Sequence, residues 1–209
     1  MPKVSPLYRD ARRNEILAAA VACFARNGFH ETTIQDIARE AGLSHGAIYR
    51  YFPSKEDMIE AASRRDPGAR AMRFADAEAG RRPLDAIAQL LSSYIVADAT
   101  LGSNAQLRVV VFGEGVRNPK VNESIRATWH EVLGLIGAMV RGGQAAGEID
   151  AGLDPDAIAL VVAALRDGLL IHQAIDPTVD AEACSQVVSA LLHGRFATPT
   201  GARKADDGR

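Results

Sequence analysis

Apolar residues recur every three or four positions along most of the chain, a spacing that predicts helices with one buried face. A first stripe runs from Ile16 to Phe24 and ends at Gly28. The same spacing predicts helices over 34–41, 44–52, 54–62, 84–94, 125–140, 154–170 and 181–191. The run from Val109 to Phe112 would alone fit a buried strand, but its neighbours are helical and no second strand offers to pair with it. We therefore predict an all-α protein of about nine helices.

Residues that start and stop helices support this division. Thr32 with Gln35 has the spacing of a capping box ahead of the second helix. Ser44 suits the N-cap of the third helix. Pro53 ends that short helix, because the residue before a proline disfavours helical geometry. The sequence at 66–68, Asp-Pro-Gly, then breaks the chain.

The segment from Ser44 to Phe52 sorts its side chains onto two faces. Gly42 lies in the turn before it, where a left-handed backbone costs glycine little, so the segment is predicted as helix, tight turn, helix. Successive residues rotate by about 100°. This rotation places Ala47, Ile48 and Phe52 on one face, with Tyr51 at its edge, and the residues of what we call the contact face on the other: His45, Gly46, Tyr49 and Arg50. The contact face has no acid and suits a nucleic-acid groove, while the alternative is a solvated surface.

Charge is unevenly distributed along the chain. The formal net charge is −2 over 209 residues, but residues 1–65 hold ten Lys and Arg against eight Asp and Glu. The first 13 residues alone carry Lys3, Arg9, Arg12 and Arg13 against one acid. A basic arm ahead of an otherwise acidic chain favours a polyanionic partner, and the alternative is a solvated charged tail.

Composition narrows the class of protein. The 47% hydrophobic and 24% charged residues are typical of a soluble globular protein, and no apolar run reaches the roughly 18 residues of a membrane span. The N-terminus lacks the apolar core of a secretory signal. Cys23 and Cys184 lie far apart without metal-site spacing, which predicts a reduced, cytoplasmic protein. The chain has no nucleophile elbow, phosphate loop or HExxH motif, so we expect neither enzymatic activity nor a cofactor.

Four stretches carry a resemblance to a known family: FARNGF at 24–29, TTIQDIAREAGLS at 32–44, GAIYRYF at 46–52 and SKEDM at 54–58. On these stretches, residues 11–61 resemble the DNA-binding domain of the tetracycline-repressor (TetR/AcrR) family. The resemblance implies a homodimer with an N-terminal helix-turn-helix domain and a larger helical regulatory domain. We expect the DNA-binding domain with its basic arm at 1–53, the regulatory and dimerisation domain at 54–196 with a connecting helix at 54–66, and a disordered tail at 197–209.

The resemblance also implies which residues meet DNA. The implied roles are phosphate-binding helix starts for Thr33 and Ser44, base reading for His45 and Gly46, base or backbone contact for Arg50, and phosphate contact for Tyr49 and Lys55. One departure from the family is Tyr51, where many members carry histidine. A phosphate bond from Tyr51 is therefore open.

The second half resembles the C-terminal domain of one branch of the same family, in RVVVFGEGVRNPKVNESIRATWHEV and AALRDGLLIHQAID. The resemblance implies a ligand cavity and a dimer interface built from the last two helices, about 155–173 and 180–195. The apolar surface of the first of these helices independently favours a partner, and an intramolecular core is the alternative. Candidate ligand contacts are Tyr94, Arg108, Phe112, Trp129 and Asp167. For Phe112 and Trp129 the alternative is a plain core position.

These observations favour a sequence-specific transcriptional regulator. We expect a homodimeric repressor that a small-molecule effector releases from double-stranded operator DNA. One alternative is an architectural or non-specific DNA-binding protein, which usually needs a more basic surface than a pI of 6.2 indicates. Another is an all-helical enzyme. Activation rather than repression stays open, and the sequence identifies neither the effector nor the operator.

Overall fold

The computed structural model describes residues 5–64, 67–100 and 103–194, and the regular structure within these ranges is entirely helical. The ten helices of the described residues are α1 (Pro6–Asn27), α2 (Ile34–Glu40), α3 (His45–Tyr49), α4 (Lys55–Ser63), α5 (Pro67–Glu78), α6 (Pro83–Thr100), α7 (Ser103–Arg117), α8 (Pro119–Ala145), α9 (Pro155–Ile175) and α10 (Ala181–Leu192). The predicted all-α fold is confirmed, and the ambiguous run from Val109 to Phe112 is helical. The predicted disordered tail at 197–209 lies outside the described residues.

Helix α1 begins at Pro6, well ahead of the apolar stripe that predicts it. The hydroxyl of Ser5 caps the helix, and proline suits the first helical position because its missing N–H is not needed there. The basic residues at 9–13 of the predicted arm therefore lie on the first turns of α1. Arg12 among them forms a 2.6 Å ion pair one turn along the helix. Lys3 lies outside the described residues.

The capping box of α2 starts one residue later than predicted. Thr33 accepts a hydrogen bond from the Asp36 amide at 3.1 Å, in place of the expected pair of Thr32 with Gln35. Thr32 is fully buried. Its hydroxyl donates toward two carbonyl oxygens at the end of α1, at 2.7 and 3.2 Å. Thr32 therefore holds the α1–α2 turn, and its neighbour caps the helix.

The turn before α3 has the predicted geometry. Gly42 adopts φ +64°, in the left-handed region that side chains rarely enter. Ser44 caps α3 by accepting a hydrogen bond from the Ala47 amide at 3.3 Å. The helix ends at Tyr49, earlier than the predicted end at Phe52.

Helix α5 is the one described helix that the sequence pattern does not predict. It lies in a stretch rich in alanine and arginine, and it places Phe74 and Ala77 in a core. The predicted connecting helix at 54–66 corresponds to α4, and residues 65 and 66 lie outside the described ranges.

Two cores hold the helices together. The first joins α1–α4 to parts of α7 and α8, and it includes Phe24, Ile48, Phe52, Val111 and Ile125. The second joins α5, α6, α9 and α10 to the remainder of α8. Because the first core contains residues from α7 and α8, the N-terminal helices pack directly on the regulatory half, through α1 and α4.

Helices α9 and α10 leave apolar side chains open to solvent. The exposed large residues on these helices are Leu160, Val161, Leu165, Ile171, Ile175, Val187 and Leu191. By length and composition α9 could also cross a membrane, and only 28% of its most apolar window is buried. A single helix of this kind is weak evidence for a membrane span, and Arg166 and Asp167 interrupt its centre. The apolar stripe is better explained by a protein partner.

Candidate nucleic-acid interface

The structure confirms the two predicted faces around α3. Ile48 is 0% exposed and Phe52 is 1% exposed, and both lie in the first core. All four residues of the contact face are exposed. The buried side anchors this segment in the first core, so the contact face is held outward.

The contact face combines aromatic and basic groups. The rings of His45 and Tyr49 meet edge to face, with centroids 5.0 Å apart and planes at 74°. Tyr49 nevertheless keeps 46% of its surface exposed. Edge-to-face packing favours a defined mutual orientation. The imidazole and the phenol are therefore presented together, and Arg50 is exposed on the same face.

Gly46 has no evident role within the chain itself. A Cβ built at this position meets no heavy atom within 4 Å. Glycine in a helix is about 1 kcal/mol less favourable than alanine. The fold therefore gains nothing from this glycine. A partner that approaches the helix backbone closely would benefit from it, because glycine has no side chain in the way.

A carboxylate of the chain occupies the start of α2. Asp36 accepts hydrogen bonds from the hydroxyl of Thr33 at 2.6 Å and from its amide at 3.0 Å, and these bonds lower the pKa of Asp36. Arg39 lies 3.3 Å from the same carboxylate. A phosphate at Thr33 would have to compete with this carboxylate, so the phosphate contact of Thr33 stays a prediction.

Lys55 binds the loop between α1 and α2. Its ammonium donates to the carbonyl oxygens of Phe29 at 2.8 Å, His30 at 3.3 Å and Thr32 at 2.6 Å. The same ammonium lies 4.8 Å from the centroid of the Phe29 ring. All three N–H donors of the ammonium thus have partners in the loop. The phosphate contact predicted for Lys55 would require the ammonium to give up at least one of these three carbonyl oxygens.

Replacing Lys55 with methionine is expected to destabilise the protein by about 1–2 kcal/mol, because loop carbonyls lose their donor while the aliphatic stem is kept. Urea unfolding at fixed protein concentration measures this loss. DNA affinity measured on the same variant separates the two roles of Lys55. A large loss of affinity with unchanged unfolding free energy would favour the phosphate contact instead.

Tyr51 does not share the contact face. It is half-buried against the first core. Its ring lines an open cleft of about 470 Å³ between α1 and α4, together with Arg13 and Arg64. The Arg13 guanidinium lies 4.5 Å from the centroid of the Phe52 ring in the same cleft. A phosphate bond from Tyr51 stays a prediction.

Four of the five candidate ligand contacts form a connected chain in the regulatory half. Asp167 on α9 accepts a hydrogen bond from Arg108 on α7 at 3.2 Å. The Arg108 guanidinium lies 5.7 Å from the Phe112 ring centroid, and that ring meets Trp129 edge to face at 5.7 Å. Trp129 is 40% exposed and Phe112 is half-buried, so neither is a plain core residue.

Arg166 connects the fifth candidate, Tyr94, to this chain, and sequence reasoning missed it. Its Nε donates to Asp167 at 3.0 Å, and its guanidinium lies 5.0 Å from the Tyr94 ring centroid. Arg166 is only 8% exposed. The available signal was a charged residue inside a very apolar helix, since a buried charge needs a partner.

Comparison with protein families shows what the two halves are. Residues 16–62 match the model of bacterial regulatory proteins of the tetR family. Residues 83–197 match the model of the BetI-type transcriptional repressor C-terminal domain, which covers more than half of the chain. This chain belongs to the TetR family. The predicted DNA-binding transcriptional regulator is thereby confirmed.

Similar proteins match the TetR-family chain over both halves. The HTH-type transcriptional regulator UidR of Escherichia coli K12 is 26% identical over 182 residues, which cover 87% of this chain and 91% of UidR. The structure of Salmonella enterica GusR is 29% identical with a TM-score of 0.75, and the match covers 92% of this chain and 97% of that one. A putative transcriptional regulator from Saccharomonospora viridis, solved in complex with choline, is 26% identical with a TM-score of 0.75 and coverages of 88% and 96%.

Polar contacts between α4 and α8 join the two halves of this TetR-family protein. The Lys120 ammonium binds the Asp57 carboxylate and holds its pKa below the usual value. Ser124 accepts a hydrogen bond from Arg64 Nε at 3.0 Å. Because α4 begins directly after the helix-turn-helix, a displacement of α8 would act on the segment that carries α3.

Proposed function

We propose that the contact face of α3 enters the major groove of operator DNA and reads its sequence. The observation that carries this proposal is the outward face without acids, which includes a glycine that the fold does not need. Arginine pairs with guanine edges or phosphates, and imidazole and phenol groups donate to bases or phosphates. Arg50 and His45 would set sequence preference, and Tyr49 would hold the backbone.

The same proposal requires a homodimer, formed by the apolar faces of α9 and α10 at about 155–173 and 180–195. Seven large apolar side chains on these helices are exposed in the single chain. A two-fold axis through this surface would pair α9 and α10 of one copy with those of the other and bury the apolar side chains in a four-helix interface. The two α3 helices would then lie about 34–36 Å apart, one turn of DNA, and read a near-palindromic operator.

We further propose that this cytoplasmic protein represses transcription and is released by a small molecule bound in the regulatory half. A regulator of the same fold is bound to choline, which supports a small-molecule effector. Asp167, Arg108 and Tyr94 are among the candidate contacts. An effector shifts the dimer away from DNA only by its differential affinity for the two states. The α4–α8 contacts and the 2.9 Å pair of His30 with Glu114 would carry the change to α3.

Two substitutions on the contact face test the proposal. Replacing Arg50 with alanine should cost about 1–3 kcal/mol, or roughly 5- to 150-fold in operator affinity, and should relax preference at one base position. Replacing Tyr49 with phenylalanine should weaken binding by about 1 kcal/mol equally on all sequences, because it removes one hydrogen bond. Fluorescence anisotropy at fixed salt, with an operator selected from random duplexes, measures both.

The exposed Arg126 on α8 supplies a matched control, since its replacement with alanine removes the same charge from a residue outside the contact face. Its operator affinity should equal that of the unchanged protein. Unaltered binding by both contact-face variants would reject the assignment of this face. Equal affinity for operator and random duplex would favour the sequence-indifferent binder instead.

A further inference from the structure

The inward face of α9 carries two polar side chains in an otherwise apolar setting. Arg166 and Gln173 lie two helical turns apart on the same face, and they are 8% and 9% exposed. Between them lies Leu170, which is 2% exposed. This face packs against α6, where Tyr94 and Ile95 are buried in the second core. Such a surface combines an apolar floor with two separated polar groups.

Two guanidinium groups lie against the Tyr94 ring. Arg73 on α5 lies 4.8 Å from the ring centroid, and Arg166 on α9 lies 5.0 Å from it. Arg166 has Asp167 as its carboxylate partner. For Arg73 no carboxylate partner occurs among the described residues, and its interaction is with the ring. Arg166 shares the Asp167 carboxylate with Arg108. Among the described residues, the charge of Arg73 beside the Tyr94 ring therefore has no carboxylate of its own.

Uncompensated positive charge in a partly buried site is unfavourable, because protein groups replace only part of the lost hydration. Stacking on an aromatic face offsets a part of that cost. An anion that bound between Arg73 and Arg166 would balance the charge and accept hydrogen bonds from both guanidinium forks. The site is therefore arranged for a negatively charged group and against a positively charged one.

Gln173 adds an independent observation. Its Nε2 donates weakly to the Ile95 carbonyl oxygen at 3.4 Å, and its Oε1 is buried without a donor among the described residues. Buried polar atoms in native proteins are nearly always paired. A buried acceptor without a partner indicates a group that binds there, namely one with a hydroxyl or an N–H.

We propose that Arg73, Arg166, Tyr94 and Gln173 form the polar part of the effector site. The effector is an amphipathic carboxylate with an apolar body and a separate hydroxyl or N–H donor. The carboxylate binds the two guanidinium groups, the apolar body lies along Leu170, and the donor reaches Gln173 Oε1. Two helical turns separate the backbone positions of Arg166 and Gln173 by about 11 Å, and we choose effector probes of about this length. This inference rests on the proposed regulatory function and specifies the ligand class of its second half.

Four probes of one skeleton test the ligand class on the full-length dimer: 8-hydroxyoctanoate, octanoate, octane-1,8-diol and 8-hydroxyoctyltrimethylammonium. Thermal unfolding and release of selected operator DNA are measured with each. We expect the largest stabilisation and release with 8-hydroxyoctanoate, less with octanoate, and least with the diol and the ammonium compound. An ammonium probe that matches or exceeds 8-hydroxyoctanoate, or a flat response to 8-hydroxyoctanoate, overturns the proposal.

Variants then assign the effect to the named residues. Replacing Arg73 with methionine should raise the 8-hydroxyoctanoate concentration for half-release by about tenfold or more, because it removes one charge-assisted contact. Replacing Gln173 with leucine should remove the advantage of 8-hydroxyoctanoate over octanoate and keep the melting temperature of the ligand-free protein. Replacing Arg126 with methionine is the control and should change neither. An unchanged response in the first two variants, or a strongly lowered ligand-free melting temperature for Gln173→Leu, argues against this site.

The outcomes keep this inference apart from the proposed function. If the unchanged protein fails to bind any selected duplex, the DNA-binding proposal fails. If it binds operator but 8-hydroxyoctanoate neither stabilises nor releases it, only the ligand class fails.

Discussion

Replacing Val161 with glutamate is expected to leave a folded monomer that binds operator at least about 100-fold more weakly than the unchanged protein. Val161 is 59% exposed in the single chain, so a carboxylate there is solvated as long as α9 has no partner. In a two-fold interface the same substitution occurs on both copies and brings two unpaired carboxylates into an apolar contact. Each buried, unpaired charge costs several kcal/mol, which is enough to prevent association.

Loss of the dimer removes bivalent binding. A single α3 helix holds one half-site, and the second contact no longer benefits from a high effective concentration. Sedimentation velocity measures the oligomeric state, and anisotropy on the same samples measures operator affinity. Val116→Glu on α7 is a matched control, because Val116 is 87% exposed and lies outside the proposed interface. A dimeric Val161→Glu variant would place the interface elsewhere.

The sequence predicts the helices best where buried side chains form a regular stripe. In α1 the stripe from Ile16 to Phe24 corresponds to positions that are buried in the first core. Helix α5 escapes prediction because it buries Phe74 and Ala77 in a stretch dominated by alanine and arginine, which gives no apolar period. The spacing of apolar residues therefore predicts a helix better, the more apolar side chains that helix buries.

Helix capping shows a different limit of prediction from sequence. Thr32 and Thr33 offer the same hydroxyl group at adjacent positions, and each has a polar residue three positions later. The structure separates them by burial, since Thr32 is 0% exposed and binds carbonyl oxygens of the preceding turn. That distinction depends on how α1 ends against α2, which is a tertiary contact. Spacing alone locates the start of a helix only to within a residue.

The two candidate sites also differ in how far the sequence alone predicts them. The contact face follows from helical rotation within a single short segment, so the sequence places all four of its residues correctly on the outside. The proposed effector site around Tyr94 depends on how α5, α6 and α9 meet. The sequence marks Arg166 as a charge in an apolar helix, but its partners Asp167 and Tyr94 become apparent only through packing.

Replacing Phe52 with alanine is expected to destabilise the protein by about 3–5 kcal/mol, because it empties a fully buried aromatic site in the first core. Phe52 is 1% exposed, and the Arg13 guanidinium also loses the ring on which it stacks, at 4.5 Å. A loss of this size is a large part of the roughly 5–15 kcal/mol that separates folded from unfolded proteins. Urea unfolding followed by circular dichroism, at one protein concentration, measures it.

Tyr49→Ala provides the paired comparison, since it removes an aromatic ring of similar size from the opposite side of the same segment. Tyr49 is 46% exposed, so its loss should change the unfolding free energy by no more than about 0.5 kcal/mol while weakening operator binding. Phe52→Ala should lower the unfolding free energy and keep operator affinity at temperatures where the variant is still folded, because the contact face keeps all its side chains. If both variants lose stability equally, the ring of Tyr49 is part of the core, and α3 does not present a surface for DNA.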